Sequence, residues 1–330
     1  MHGIADAVRA GACTMTPMLC PNCSASDVAI RSGGLLQPFF VKRVFGIEPP
    51  TLASLLPHGI GVWFARLIGA IPFLSRLVES RPLRCDILVC TACDFVCPAL
   101  SLAETQLLNL YRDYRSQWYN AERVRYEPSY RKIALLVGKS PAEHRARMRH
   151  VEAFLSDVPG IATVREVLDF AGADGRFIPP TLLERCNCTV YDVSEESPYR
   201  PGIRKAAMLT ELGMFDYIQV CHVLEHVRQP KALMESILPH LAQGGLVYLE
   251  APEEGSQQRV ERLRARRETF PVHEHINLYT EKSLTALVVA VGLRLVKIET
   301  AELDLGWCQA TILSAVAATR VAPGEKVATS

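Results

Sequence analysis

The sequence has almost no net charge, with 36 basic side chains against 35 acidic ones in 330 residues. This balance excludes a global electrostatic field that would gather nucleic acid, so we expect no nucleic-acid partner. The first residues, MHGIADAVRAGACTM, lack the basic start and apolar core of a secretory signal. No stretch reaches the ~20 uncharged apolar residues that span a bilayer. We therefore expect a cytoplasmic protein with reduced thiols.

Cysteine is unevenly distributed: there are 11, and seven of them precede residue 100. Two pairs form C-x-x-C knuckles: Cys20 with Cys23, and Cys90 with Cys93. Four thiolates are a closed ligand set for a structural zinc ion, although the 66 residues between the knuckles exceed the ~15–20 of a compact zinc ribbon. Cys85 and Cys97 are substitute ligands if the set is shifted, and unligated buried thiols are the alternative.

From about residue 151 onward, short β-branched runs alternate with amphipathic segments. The strand-like runs are 164–170, 189–193, 215–223 and 246–252. Such alternation predicts a parallel α/β sheet with right-handed crossovers. Two later runs, 292–301 and 309–318, predict an antiparallel hairpin at the edge of this sheet. Residues 101–150 are polar and are predicted to be helical.

Ligands of an open α/β sheet bind at the carboxyl ends of its strands. Asp169 lies at the end of the first run and is followed by the small residues around Gly172 and Gly175, where Gly175 is expected to open a helix. Asp192 lies at the end of the second run, at the position of a carboxylate that accepts the hydroxyls of a ribose. These features indicate a nucleoside-containing cofactor, either a dinucleotide or S-adenosylmethionine. The lack of G-x-G-x-x-G and the acid at the strand end favour the second.

Five blocks carry a resemblance to a known family. They are VREVLDFAGADGRFIP, TVYDVSEES, FDYIQVCHVLEHVRQP, LPHLAQGGLVYLEAPE and HEHINLYTEKSLTALVVAVGLRLVKIE. In this order they resemble class I S-adenosylmethionine-dependent methyltransferases over residues 160–318. The resemblance implies a Rossmann-like seven-stranded sheet whose last strand is antiparallel, and an amino-terminal four-cysteine zinc module that uses Cys20, Cys23, Cys90 and Cys93.

The resemblance also implies a set of cofactor-binding positions. They are Asp169, Ala171, Gly172 and Gly175 on the methionine side, Asp192 at the ribose, and Cys221 and His222 beside the cofactor. The first two glycines of the usual D-x-G-x-G-x-G loop are Ala171 and Ala173 here, and a methyl group is penalised where φ is positive. This departure motivates a competing hypothesis, a non-catalytic scaffold that retains the fold and the zinc.

A histidine block supplies the candidate catalytic residues. In relatives that methylate sugar carbons, a Glu-His pair in the corresponding block lies at the acceptor. The resemblance carries this over to Glu274 and His275, with His275 as the base and Glu274 as its orienting or substrate-binding partner. The alternative is a helix entry whose polar residues cap and pack. His222-Val-Leu-Glu-His226 also matches the H-x-x-E-H pattern of zinc peptidases, but it follows a strand.

These observations predict an S-adenosylmethionine-dependent methyltransferase acting on a small-molecule acceptor, with a sugar or glycan suspected. The expected organisation is a zinc-binding module over 1–100, a helical linker over 101–150, the methyltransferase domain over 151–320 and a loose tail over 321–330. The apolar insertion 55–78 is either buried against the catalytic domain or in peripheral contact with a membrane interface.

Overall fold

A computed structural model describes residues 18–49, 81–138, 140–194, 196–254 and 257–319. Within these ranges the strands are β1 (Val28–Leu36), β2 (Leu83–Cys90), β3 (Val96–Pro98), β4 (Glu166–Phe170), β5 (Asn187–Tyr191), β6 (Arg204–Ala206), β7 (Phe215–Cys221), β8 (Leu241–Pro252), β9 (Phe270–Val272), β10 (Arg294–Asp304) and β11 (Gln309–Ala318). The α-helices of the same ranges are α1 (Pro38–Phe45), α2 (Glu104–Tyr111), α3 (Gln117–Tyr126), α4 (Pro141–Leu155), α5 (Pro180–Arg185), α6 (Pro230–Ile237), α7 (Gln257–Arg264) and α8 (Glu281–Ala290).

The larger sheet has seven strands in the order β10-β11-β8-β7-β4-β5-β6. Strands β6, β5, β4, β7 and β8 are parallel, and β11 runs antiparallel to both β8 and β10. The predicted Rossmann-like sheet with an antiparallel last strand is therefore confirmed. The central strand β4 is buried over its last four residues, as expected of a strand covered on both faces.

Parallel pairing aligns the carboxyl ends of the central strands at one edge of the larger sheet. Phe170 of β4 pairs with Tyr191 of β5, and Cys221 of β7 pairs with Glu250 of β8. The loops that follow these strands therefore meet on the same side of the molecule. This edge is where the sequence analysis predicts the cofactor, because ligands of open α/β sheets bind beyond the carboxyl ends of the strands.

Residues 101–150 form three separate helices rather than one continuous helix. Asp113 and Arg115 have positive φ values of 54° and 59°, which are incompatible with an α-helix and therefore separate α2 from α3. Helix α4 then begins at an N-cap, where the Ser140 hydroxyl accepts a hydrogen bond from the Glu143 amide and Pro141 occupies the first turn. The sequence periodicity of the segment does not reveal these breaks.

The smaller sheet has the order β3-β2-β1-β9 and combines two distant parts of the chain. Strands β1, β2 and β3 are antiparallel and come from the cysteine-rich region. Strand β9 pairs parallel to β1 through Gly34 to Leu36 and ends immediately before the histidine block. The amino-terminal sheet thus includes a strand from the segment that carries the candidate base.

Two expectations concern residues outside the described ranges, namely the apolar insertion 55–78 and the tail 321–330. Among the residues with described structure, none of the helices has the length and apolar character needed to cross a membrane.

Candidate functional site

The four cysteines of the two knuckles come together in one cluster. Sγ of Cys20 lies 3.8 Å from Sγ of Cys93, and Sγ of Cys23 lies 3.8 Å from Sγ of Cys90. All four sulfur atoms lie within 4.8 Å of one another. Zinc–sulfur bonds of ~2.3 Å in a tetrahedron place the sulfurs ~3.8 Å apart, so the cluster has the geometry of a four-cysteine zinc site.

Strand pairing explains how knuckles 66 residues apart in sequence meet in space. Val28 of β1 is in register with Cys90 of β2, which brings the turn after β2 beside the turn before β1. Cys85 points instead toward Gly34, where a Cβ atom would lie 2.3 Å from its sulfur. Within the described ranges, Cys85 and Cys97 are absent from this cluster, so the expected set needs no substitute.

The loop after β4 forms a tight cradle around a buried carboxylate. Asp169 is 1% exposed, its Oδ2 has no hydrogen-bond partner among the described residues, and burial raises its pKa to about 7. A Cβ on Gly172 would lie 2.0 Å from that oxygen. Ala171 and Ala173 have φ values of 56° and 53°. The chain therefore adopts the left-handed turns of a glycine loop with alanine at two of its positions.

Gly175 also has a positive φ, but it does not open a helix as expected. Turns continue to Pro179, and α5 begins at Pro180. A Cβ on Gly175 would approach the Val190 side chain to 2.7 Å, so the residue is required for close packing of the loop on β5. Its position is set by contact with the sheet and not by a helix N-terminus.

Asp192 fixes the cradle from the end of β5. Its Oδ2 accepts a hydrogen bond of 2.9 Å from the Ala173 amide, and its Oδ1 accepts one of 2.7 Å from the Ser194 amide. Asp192 therefore lies directly beside the loop that follows Asp169. The unpartnered Asp169 oxygen and the close approach at Gly172 form a site that fits a ligand with a hydrogen-bond donor, such as the amino group of S-adenosylmethionine.

The residues after β7 join a buried charged network. His222 has a φ of 54°, and its ring nitrogens lie 3.1 Å from Glu225 Oε1 and 3.0 Å from Glu250 Oε1. Although burial and Arg147 lower it, these two hydrogen bonds raise the pKa of His222 above its usual value. Burial raises the pKa of the neighbouring Cys221 thiol. The thiol is therefore neutral, and the imidazole is held by two carboxylates.

Glu250 is fully buried and has the strongest partner in this network, Arg147 of α4, at 2.6 Å. The Tyr248 hydroxyl donates a second hydrogen bond of 2.7 Å to it. Burial alone would raise the pKa of Glu250, but Arg147 and His222 hold it well below the usual range. The Arg147 guanidinium also lies 3.9 Å from the centre of the Phe177 ring. The network links α4 to the cofactor edge of the sheet.

Glu274 and His275 are adjacent in sequence but have different partners. Glu274 accepts a hydrogen bond of 2.8 Å from the Tyr119 hydroxyl and forms an ion pair of 2.5 Å with Arg123. Burial would raise its pKa, but Arg123 and Tyr119 lower the pKa of Glu274 to about 2. The carboxylate that contacts His275 is Glu254, whose Oε1 lies 2.6 Å from His275 Nδ1. Burial lowers the pKa of His275, but this hydrogen bond to Glu254 raises it above the usual value.

Several residues of the site have no signal in the sequence. Glu254 lies in the loop after β8, while Tyr119 and Arg123 share a face of α3 because they are four residues apart. Buried carboxylates require compensating partners, but a single sequence does not identify them. The H-x-x-E-H pattern also fails as a helical zinc motif, because 224–226 form one turn of 3-10 helix.

Comparison with known proteins identifies the larger domain. Residues 141–298 match the family described as a methyltransferase domain. This part of the chain is a methyltransferase domain with the class I, S-adenosylmethionine-dependent methyltransferase fold. The match begins at the first helical turn of α4 and extends into β10, so it includes Asp169, Asp192 and the histidine block. No curated protein sequence matches the chain.

Solved methyltransferase structures are similar at low identity. A Burkholderia thailandensis 1,6-didemethyltoxoflavin N1-methyltransferase is 17% identical, with 68% of this chain and 95% of that chain covered and a TM-score of 0.45. The magnesium protoporphyrin IX methyltransferase of Synechocystis is 14% identical, with 66% and 98% covered and a TM-score of 0.41. The N-methyltransferase NodS of Bradyrhizobium japonicum is 17% identical, with 56% and 90% covered and a TM-score of 0.37.

Proposed function

We propose that this methyltransferase acts on a small-molecule acceptor and uses His275 as the general base. The observation that carries the proposal is the 2.6 Å contact between His275 Nδ1 and Glu254. A proton on Nδ1 that is donated to Glu254 leaves a lone pair on Nε2, the atom that would accept a proton from the acceptor. The side chain of His275 is 21% exposed, so a ligand can reach it.

The cofactor-binding residues we propose are those of the strand-end cradle. The methionine portion would be held by Asp169, Ala171, Gly172 and Gly175. The ribose would be bound by Asp192, and the side of the cofactor next to the end of β7 would contact Cys221 and His222. When bound, S-adenosylmethionine supplies a methyl group that its sulfonium already activates. The protein's task is then to align the acceptor with that methyl group and to exclude water.

Glu274 is proposed as a positioning residue for the base. Its side chain contacts Tyr119 and Arg123 of α3, and its backbone oxygen accepts a hydrogen bond of 2.8 Å from the Tyr111 hydroxyl. These contacts fix the residue that directly precedes His275. The imidazole of His275 is itself oriented by Glu254, which thus takes the role expected for Glu274.

The acceptor remains the class predicted from the sequence, a sugar or other glycan-type small molecule. Support comes from the polar side chains around His275, where the imidazole of His273 and the carboxylate of Glu254 would hydrogen-bond an acceptor rich in hydroxyl groups. We also propose that Cys20, Cys23, Cys90 and Cys93 hold a structural Zn²⁺, because their sulfur spacing fits a tetrahedral ion and four protein ligands leave no open position.

Two measurements test the proposal. Calorimetry should detect binding of S-adenosylmethionine to the zinc-loaded chain and weaker binding to Asp192→Ala. Labelled methyl transfer into small-molecule extracts should be lost in His275→Ala, which should still bind the cofactor. His240→Ala is the matched control, because its imidazole contacts the Gly213 carbonyl and belongs neither to the cradle nor to the histidine block. A folded chain that binds no cofactor at millimolar concentration refutes the cofactor assignment, and full transfer by His275→Ala refutes the base.

A further inference from the structure

Three imidazoles and two carboxylates cluster around the histidine block. They belong to His226, His273, His275, Glu225 and Glu254. Two overlapping sets have one potential ligand atom per residue within 4.8 Å of the others: Glu225 with His226 and His275, and Glu254 with His273 and His275. Neither set shares a residue with the four-cysteine cluster.

His226 is oriented as a ligand by its backbone contacts. Its Nδ1 lies 3.0 Å from the Glu274 carbonyl oxygen, which can only accept a hydrogen bond, so Nδ1 carries the proton. Nε2 therefore has a lone pair, and it lies 3.8 Å from Glu225 Oε1. That separation is too long for a hydrogen bond but leaves room for an ion between the two atoms.

His275 has the same arrangement. Its Nδ1 contacts Glu254 Oε1 at 2.6 Å, and its Nε2 has the remaining lone pair. In metal sites, a ligating histidine commonly donates its other ring N–H to a carboxylate or a backbone carbonyl, which orients the ring. Glu254 supplies that support to His275, as the Glu274 carbonyl does to His226. The two rings have centroids 4.9 Å apart.

Glu225 supplies the independent observation that points to a cation. Its side chain is fully buried, and its Oε2 has no hydrogen-bond partner among the residues that the structure describes. Its position is fixed, because its carbonyl oxygen accepts hydrogen bonds from the Ile276 and Asn277 amides at 2.8 and 3.0 Å. A buried carboxylate oxygen without a partner is costly, and coordination of a metal ion would satisfy it.

We propose that Glu225, His226 and His275 bind a divalent transition-metal ion of the zinc, cobalt or nickel class. Two imidazoles and one carboxylate suit these ions and leave coordination positions open to water or a ligand. Binding does not depend on the proposed function. Its consequence does: a metal ion on His275 Nε2 occupies the lone pair that would accept the acceptor's proton, so occupancy of this site inhibits methyl transfer.

The competing set is disfavoured by its hydrogen bonds. His273 Nδ1 accepts a hydrogen bond of 3.2 Å from the His275 amide, so that nitrogen is already engaged. Glu254 Oε1 is engaged by His275 Nδ1. Coordination through these two atoms would break both contacts. Coordination by His226 through Nε2 and by Glu225 through its unpartnered Oε2 preserves them, together with the contact between Glu225 Oε1 and His222 Nδ1.

The test is a Co²⁺ titration of the full chain whose cysteine cluster is first loaded with Zn²⁺. We expect one Co²⁺ per chain with weak d–d absorption and no sulfur charge-transfer band. His226→Ala should weaken this binding by about tenfold or more, as loss of a ligand does, while His273→Ala and the control His240→Ala should stay within about twofold. Absence of the Co²⁺ band in the wild type overturns the proposal, and loss in His273→Ala with retention in His226→Ala overturns the ligand assignment.

A second readout addresses inhibition. Added Zn²⁺ should inhibit labelled methyl transfer by the wild type, and His226→Ala should require about tenfold more Zn²⁺ for the same fractional inhibition. Equal sensitivity of the two proteins contradicts the inhibitory role. If the proposed base is wrong, the Co²⁺ band still appears and only the inhibition is lost, so the two failures are distinguishable.

Discussion

Replacing the two loop alanines with glycine should not destabilise the protein, in contrast to most alanine-to-glycine changes. Ala171 and Ala173 have positive φ values of 56° and 53°. A Cβ in this region costs about 1–2 kcal/mol, whereas glycine adopts it freely. The opposing term is the larger entropy of an unfolded chain with glycine, about 0.4–1 kcal/mol. Each substitution should therefore raise the free energy of unfolding by about 0.5 kcal/mol.

Urea unfolding of Ala171→Gly, Ala173→Gly and the double variant measures this effect. The matched control is Ala153→Gly, an exposed position inside α4, where glycine should cost about 1 kcal/mol. The hydrogen bond from the residue 173 amide to Asp192 comes from the backbone, so it survives the change. If both loop variants lose as much stability as Ala153→Gly, the left-handed conformation of the loop is wrong.

Three further predictions concern the charged groups and the metal. Glu254→Gln should lower the pKa of His275 and move the acid limb of the pH–rate profile to lower pH, because the Glu254 carboxylate raises that pKa. Glu274→Gln should cost about 2 kcal/mol in urea unfolding, because the buried Arg123 loses one of its two carboxylate partners and retains only Glu127. The wild-type contribution of Glu274 is complete above pH 4.5 and is lost as the pH falls through about 2, its folded-state pKa. Chelation of the Zn²⁺ proposed for the four cysteines should lower the thermal stability and the transfer rate together, as calorimetry and the labelled-methyl assay would show.

Each of these has a control or a contrary outcome. Glu253→Gln neighbours Glu254 in sequence but does not contact an imidazole in the described structure, so it should leave the pH profile in place. Glu235→Gln removes an exposed pair with Lys231 and should cost less than about 0.5 kcal/mol. Unchanged stability after chelation would show that the cluster does not need a metal.

The sheet was predictable because its determinants are local. Strands β4, β5, β7 and β8 contain short apolar runs with β-branched residues, and β10 and β11 are marked by their apolar residues and the turn at Gly306. Strand β6 has no such run and was not predicted. Because the carboxyl ends of parallel strands lie at the same edge of a sheet, Asp169 and Asp192 are predicted to lie at one edge without further information. The breaks around Asp113 and Arg115 were not predictable, because positive φ at these residues depends on tertiary contacts rather than on residue type.

The candidate site was predictable in its histidines but not in their partners. The histidine block is a contiguous motif, so resemblance alone locates Glu274 and His275. Glu254 approaches from the loop after β8, and Arg123 approaches from α3, so their contacts depend on how separate elements pack. Glu274 and His275 were expected to act together because they are adjacent in sequence. Their side chains instead contact different partners, Arg123 and Glu254.

The position of the cysteine cluster gives the amino-terminal module a role in the site. The histidine block is bounded on one side by β9, which pairs with β1, and on the other by Leu278, whose amide donates to the Val96 carbonyl at 2.9 Å. Asn22 lies between Cys20 and Cys23. Its side chain accepts a hydrogen bond from the Tyr279 hydroxyl and donates one to the Ser283 carbonyl. Both ends of the block are thus held by the module that the metal would order. A metal that orders the two knuckles would therefore fix the position of His275 without contacting it.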